Sequence, residues 1–208
     1  MMKRILLSAV ILGLISCALP TRAPVGPTNW TVLPERSGQA LKPRSDYILK
    51  IGTVAVTSPY DGKSLVYRLG DQRFEKDFYN VYTVLPSEMI ASAEQQWLNQ
   101  ANIFSAAVGQ NTSFFPDFTL QTIVSEFYGD YRSRPEAVVS VEFFLSVSTN
   151  GKGNPLIGSN RYTKRIALTN NTPEALILGQ QQALAEIFKE YEAQLYRYAA
   201  NLPKPLGR

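Results

Sequence analysis

Alternation with a period of two is clearest from Glu136 to Ser148, where Val139, Val141, Phe143, Leu145 and Val147 are apolar and Ser140, Glu142, Ser146 and Ser148 are polar. That pattern predicts a strand with one face in the core and the other mostly wet. Phe118–Tyr128 is a second clear strand, and Tyr47–Val56 a third, a β-branched and aliphatic run of strand length. Leu65–Leu69 and Phe74–Tyr82 are strand candidates interrupted by charges, and Pro59-Tyr60-Asp61-Gly62 reads as a turn. Asn150–Pro155 has the composition of a hairpin loop leading to a partner strand at Ile157–Leu168.

Two segments follow the helical period instead. Ile90, Ala93, Trp97, Leu98 and Ala101 share one face of a helix predicted over Ser87–Asn102, with Ser87 as N-cap. Thr172-Pro173 reads as an N-cap followed by proline in the first helical position. The helix it opens carries Leu184, Ile187, Phe188, Tyr191, Leu195 and Tyr198 on one stripe and ends before Pro203. Strands with two amphipathic helices on one face predict an α+β two-layer sandwich, its sheet mostly antiparallel and of about five strands.

The N-terminal quarter is organised differently. Lys3-Arg4 precedes an apolar or small-residue run from Ile5 to Ile15 and then Ser16-Cys17, the layout of a secretory signal peptide. The run covers about 16 Å as a helix, too short for a hydrocarbon core of about 30 Å. Leu14-Ile15-Ser16-Cys17 resembles the bacterial lipobox, in which the cysteine is lipidated and becomes the acylated mature N-terminus. That resemblance implies an S-diacylglycerol and an N-acyl chain on Cys17, firm membrane residence and, with Ala18 rather than Asp next, the periplasmic face of the outer membrane. Ala18–Ser45 contains Pro20, Pro24, Pro27, Pro34 and Pro43 and no sustained period, and reads as a tether. Such a tether spans about 30 Å as a coil or about 85 Å as polyproline II. Within it Trp30–Pro34 is apolar enough to dock on the domain as a short edge strand. The expected organisation is a signal peptide at 1–16, an acylated tether at 17–45 with a docking segment near 29–34, a domain at 46–202 and a tail at 203–208.

Composition narrows the chemistry. The chain has no histidine and one cysteine, which excludes a His-dependent triad, a His-ligated metal, a Cys-rich zinc site and an internal disulfide. The formal charge of +4 falls to +2 once Lys3 and Arg4 are removed with the leader, giving no basic footprint for nucleic acid. Gly151-Lys152-Gly153 joins strand to strand, and a phosphate loop needs a longer glycine-rich turn between strand and helix. Glu126 and Glu142 could approach across the sheet but read as a solvated face. No catalytic, metal or cofactor residue is expected beyond the lipid on Cys17. The remaining excess is aromatic: Tyr60, Tyr67, Phe78, Tyr79 and Tyr82, with Arg68 beside them, are expected to form a partner-binding or self-association surface, because Tyr and Arg suit contact sites.

Four blocks in order carry a family resemblance: Trp30-Thr31-Val32-Leu33-Pro34; Ile51–Val56 with Pro59-Tyr60; Leu65-Val66-Tyr67-Arg68; and Phe78-Tyr79-Asn80-Val81-Tyr82 leading to Pro86. Together with the lipobox and tether, they make the chain resemble the bacterial ABC-type transport auxiliary lipoproteins, the family that includes the paraquat-inducible protein C lipoprotein. It departs from that pattern at Tyr82, where the family commonly has Trp, and at Asp61, where Leu usually follows the Tyr. The resemblance implies a non-catalytic outer-membrane component of an envelope lipid transport system. In such a system an MCE-type periplasm-spanning protein, linked to an inner-membrane ABC transporter, is anchored or received by the lipoprotein. The same anchor, tether and small α+β domain also fit an assembly or activator lipoprotein for an outer-membrane β-barrel or a cell-wall synthase.

Overall fold

In chain order the elements are β1 (Thr28–Trp30), β2 (Ile48–Val56), β3 (Ser64–Arg68), β4 (Phe74–Tyr82), α1 (Pro86–Ala101), β5 (Ala106–Val108), β6 (Phe118–Asp130), β7 (Glu136–Val147), β8 (Leu156–Ala167) and α2 (Pro173–Ala199). They are taken from a computed structural model that describes residues 26–113, 115–149 and 153–205. The expected signal peptide, Cys17 and the start of the tether lie outside the described residues, as do Gly151 and Lys152 of the expected hairpin loop.

Strand β6 is the spine. Along one edge it pairs antiparallel with β7 over its whole length, and β7 pairs antiparallel with β8. Its other edge is shared: β2 lies parallel to Phe118–Val124, and β3 lies parallel to Gly129 and Asp130. The ladder slips between Val124 and Glu126, and the displaced Ser125 carbonyl accepts from Thr57 Oγ1 at 3.1 Å as β2 ends. A bulge bends its strand, and here it marks the fork beyond which β3, β4 and β1 continue the sheet while β5 extends it from β2.

The α+β class with two helices on one face is observed, but the expected mostly antiparallel sheet of about five strands is corrected to a mixed sheet of eight. Four of its seven ladders are parallel: β1–β4, β2–β5, β2–β6 and β3–β6. Parallel partners need long crossover connections, and the side-chain alternation within one strand carries no information about its neighbour's direction. The short strand β5 had no periodic signal.

Burial follows the helical and strand stripes closely. Val139, Val141, Phe143, Leu145 and Val147 are all buried under the helices, with Phe143 stacked on Tyr191 at 4.0 Å between ring centroids. The opposite face of β7 is less wet than expected, because Ser140, Ser146 and Ser148 are also buried. Each has a hydrogen-bond partner: Ser140 with Thr163, Ser146 to the Thr119 carbonyl and Ser148 with Thr119 Oγ1. Helix α2 approaches β7 closely at Gly179, where a Cβ would fall 2.5 Å from Leu168 Cδ2 and 2.8 Å from Ala137 Cβ. Thr172 caps α2 as expected, its Oγ1 accepting from Ala175 N at 3.2 Å. Ser87 does not cap α1; Pro86 occupies the first helical position, and Leu85 is an N-cap without a side-chain bond.

Residues 28–34 dock on the domain, β1 forming an edge strand close to the expected docking segment near 29–34, and the docking continues through 35–45, which the sequence reads as tether. Strand β1 pairs with β4, and Val32 is fully buried with its amide on Met89 Sδ at 3.2 Å. Further on, Arg36 makes a two-pronged ion pair with Glu192 at 2.8 and 2.9 Å, and Trp97 Nε1 donates to the same carboxylate at 2.7 Å. The amides of Leu41 and Arg44 then donate to the carbonyls of Ala101 and Ile103. Prolines prevented any regular period here, and the segment is held by individual side chains and single backbone bonds that leave no pattern.

Candidate functional site

The six aromatic and arginine positions expected at a partner surface separate into three environments. Tyr82 is 1% exposed; it donates to Gln180 Oε1 at 2.9 Å and packs on Phe127. Tyr60 is 7% exposed and stacks on Tyr128 at 5.4 Å, and burial pushes its phenol pKa up to about 12. Both are core residues that offer a partner no area, and they are removed from the expected surface. Tyr60 lies in the β2–β3 connection and Tyr82 at the end of β4 beyond its bulge, positions where residue order carries no alternation to tell core from surface.

Tyr67 and Arg68 are half-buried supports. Tyr67 packs edge-on against Tyr131 at 5.4 Å and donates to Asp77 Oδ2 at 2.7 Å. The Arg68 guanidinium sits 5.5 Å over the Phe74 ring and donates to the carbonyls of Gly70 and Asp71, closing the β3–β4 turn.

Phe78 and Tyr79 stand out from the surface, 81% and 59% exposed, with their rings edge to face at 5.2 Å. The local cause is a wide bulge in β4. Val66 pairs with Lys76 and Ser64 with Val81, so four residues of β4, Asp77–Asn80, oppose Leu65 alone. The Asp77 carboxylate organises those residues. One oxygen accepts from the amides of Tyr79 and Asn80 at 2.8 and 2.9 Å; the other accepts from Tyr67 Oη and Asn80 Nδ2 at 2.7 and 2.9 Å. Partial burial pushes the Asp77 pKa up, but these hydrogen bonds outweigh it and the net direction is down. Asn80 Oδ1 in turn accepts from Trp30 Nε1 at 3.0 Å, which ties β1 into the same network. Asp77 was not singled out from the sequence. Its signal is an Asp followed by amides two and three positions on, the arrangement of an Asx turn, inside an otherwise strand-like run.

Such a tip can bind but holds no reactive group, since its one carboxylate is occupied by four donors. Glu126 and Glu142 lie on the uncovered sheet face, Glu142 paired with Arg161 and Glu126 accepting weakly from Tyr128 Oη at 3.4 Å. A third acid, Glu94, is 2% exposed on α1 and accepts from Thr122 Oγ1 at 2.9 Å; burial raises its pKa to about 8. It lines a void of about 10 Å³ with Trp97, Leu98, Phe188 and Tyr191, too small to admit a substrate. Its position four residues after Ile90 placed it on the buried stripe. Among the described residues no group of three or more acidic or cysteine side chains is arranged to hold a metal, and no helix is long and apolar enough to cross a membrane.

Comparison with known proteins yields likeness of fold. No family model matches the chain, and no curated protein does. Protein XCC0632 from Xanthomonas campestris, of family model DUF330, superimposes with a TM-score of 0.63 at 16% identity, covering 83% of this chain and 94% of that one. The hypothetical protein CT253 from Chlamydia trachomatis gives a TM-score of 0.52 at 8% identity over 74% of this chain and 98% of that one. Lipoprotein GNA1162 from Neisseria meningitidis is more distant, with a TM-score of 0.32 at 16% identity over 74% of this chain and 99% of that one, a level that says nothing of shared function.

Proposed function

We propose that this chain is a non-catalytic, lipid-anchored envelope protein that works by binding. In this reading Cys17 carries the diacylglycerol and N-acyl groups and holds the domain at the periplasmic face of the outer membrane. The domain serves an ABC-type lipid transport system by anchoring or receiving its MCE-type periplasmic protein. The observation that carries the reading is the exposed Phe78–Tyr79 pair, set rigidly by Asp77 and joined through Asn80 and Trp30 to the strand where the N-terminal segment meets the domain. Tyr67 supports that contact surface from behind through Asp77, and Arg68 fixes the β3–β4 turn at the other end of the strand. A preorganised aromatic tip loses little entropy when it meets another surface, which suits a protein that acts by contact.

Crosslinking the full chain in intact envelopes tests the role. Capture of an MCE-type protein supports it, whereas capture of a β-barrel assembly protein or a penicillin-binding protein in its place contradicts it and favours an assembly lipoprotein. Acylation is tested separately by Cys17→Ser, which is expected to leave the membrane pellet after a carbonate wash; retention in the pellet would end the anchor reading.

A further inference from the structure

We infer that the occupant of the Phe78–Tyr79 tip is the headgroup–acyl boundary of the bilayer that holds the lipid on Cys17, so that the domain rests against the membrane on this tip. The assignment depends on the anchored reading and names what its contact surface touches.

Reach comes first. Strand β1 begins at Thr28, eleven positions after Cys17, and eleven residues span at most about 40 Å in any conformation. The docking of residues 28–45 thus removes most of the length that would have let the domain hang clear of the bilayer. Direction comes second. β1 is parallel to β4, with Thr28 opposite Asn80 and Trp30 opposite Tyr82. The described chain therefore enters β1 from the side of β4 on which Tyr79 and Phe78 precede Asn80, so the segment leading from the anchor joins the domain beside the tip.

Size and chemistry then favour lipid over protein. Two partly exposed aromatic side chains supply about 200–300 Å² of apolar surface, whereas a stable protein interface needs about 800 Å² on each partner. Next to the tip β4 presents the exposed Glu75 and Lys76 and the part-buried Asp77 and Asn80, with Phe74 partly exposed four residues before Phe78. An interfacial site asks for less: a phenyl ring to enter the acyl region, an amphipathic phenol at headgroup level and a cation nearby. Phe78, Tyr79 and the exposed Lys76 supply these. The acids that would oppose insertion are already engaged, Asp77 by its four donors and Glu75 by Arg73.

The test uses the acylated full chain, in which Cys17 is blocked and an introduced cysteine is the single free thiol. Phe78→Cys and Tyr79→Cys are labelled with a nitrobenzoxadiazole dye, with Leu178→Cys on α2, also exposed, as the control. The proteins are reconstituted into phosphatidylethanolamine–phosphatidylglycerol vesicles carrying a spin label high on the acyl chain. The dye at 78 and at 79 is expected to be quenched several-fold more strongly than at 178. A chain that floats with the vesicles but is quenched equally at all three positions overturns the assignment and leaves the anchor standing. The assignment is also overturned if quenching at 78 is at the control level and the dye shifts to the blue when an MCE-type protein is added, since the tip then meets protein. A chain that does not float overturns the anchor and this assignment together.

Discussion

Strands β6, β7 and β8 run antiparallel in long ladders of twelve and eleven residue pairs, while β3, β4 and β1 are joined by short ladders interrupted by a four-residue bulge. The first half of the sheet lies under α2 and keeps its register apart from one single-residue slip in each ladder, because apolar alternation and helix packing demand the same register. The second half departs from that register at Asp77–Asn80. Within five residues of β4 it sends Phe78 and Tyr79 outward and Tyr82 into the core. Regularity serves stability in one half, and its local suspension in the other creates the exposed surface on which the proposed function rests. If so, substitutions in the two halves should sort by what they change.

The largest loss is expected in the regular half. Phe143→Ala removes a fully buried ring stacked on Tyr191 and should cost about 4 kcal/mol, read as a lowered urea midpoint. Arg36→Ala comes next, at about 3 kcal/mol, because it leaves Glu192 mostly buried beside Trp97 without its cation. That result would separate a docked N-terminal segment from a tether, since a residue in a tether would cost nothing.

At the bulge, Asp77→Ala should cost about 2 kcal/mol at neutral pH through the loss of charge-assisted hydrogen bonds. Its folded-state pKa lies below the ordinary carboxylate value. The stabilisation is therefore present above that ordinary value and is lost as pH falls through the folded one, so the gap between wild type and Asp77→Ala should narrow in acid melts. Glu94 has the opposite sign. Its pKa is raised to about 8, so the folded protein binds the extra proton and stability falls as pH rises from about 4.5 to about 8. Glu94→Gln should flatten that slope and equal or exceed wild type at pH 8, by an amount on the order of 2 kcal/mol. The smallest effect belongs to the tip: Phe78→Ala should leave the melting midpoint unchanged within about 0.5 kcal/mol.

Legibility in the sequence divides along the same line. Strands β6 and β7 and both helices could be located from periodicity within a few residues, because each carries an apolar stripe written in the residue order. Pairing direction was not legible: β2 lies beside β6 some seventy residues later, and nothing local to either strand encodes that meeting. At the candidate site the aromatic excess pointed to the right strand, but Tyr82 resembles Phe78 and Tyr79 in type and lies on the same strand. The difference between them is made by Asp77, whose hydrogen bonds reach Tyr67 ten positions away. Docking of Trp30–Pro34 was legible from its apolar residues, whereas the hold on 35–45 was hidden because it depends on Glu192, distant in sequence, and on single backbone bonds to Ala101 and Ile103.

Hydroxyl-radical footprinting of Phe78 and Tyr79, in intact envelopes and in the detergent-purified chain, tests the central claim most directly, with Leu178 as an exposed reference. Both rings are expected to be oxidised readily in the purified chain and protected several-fold in the envelope, while Leu178 changes little. Equal oxidation of Phe78 and Tyr79 in the two preparations would contradict the claim, because a tip that touches nothing in its own envelope is not a contact surface.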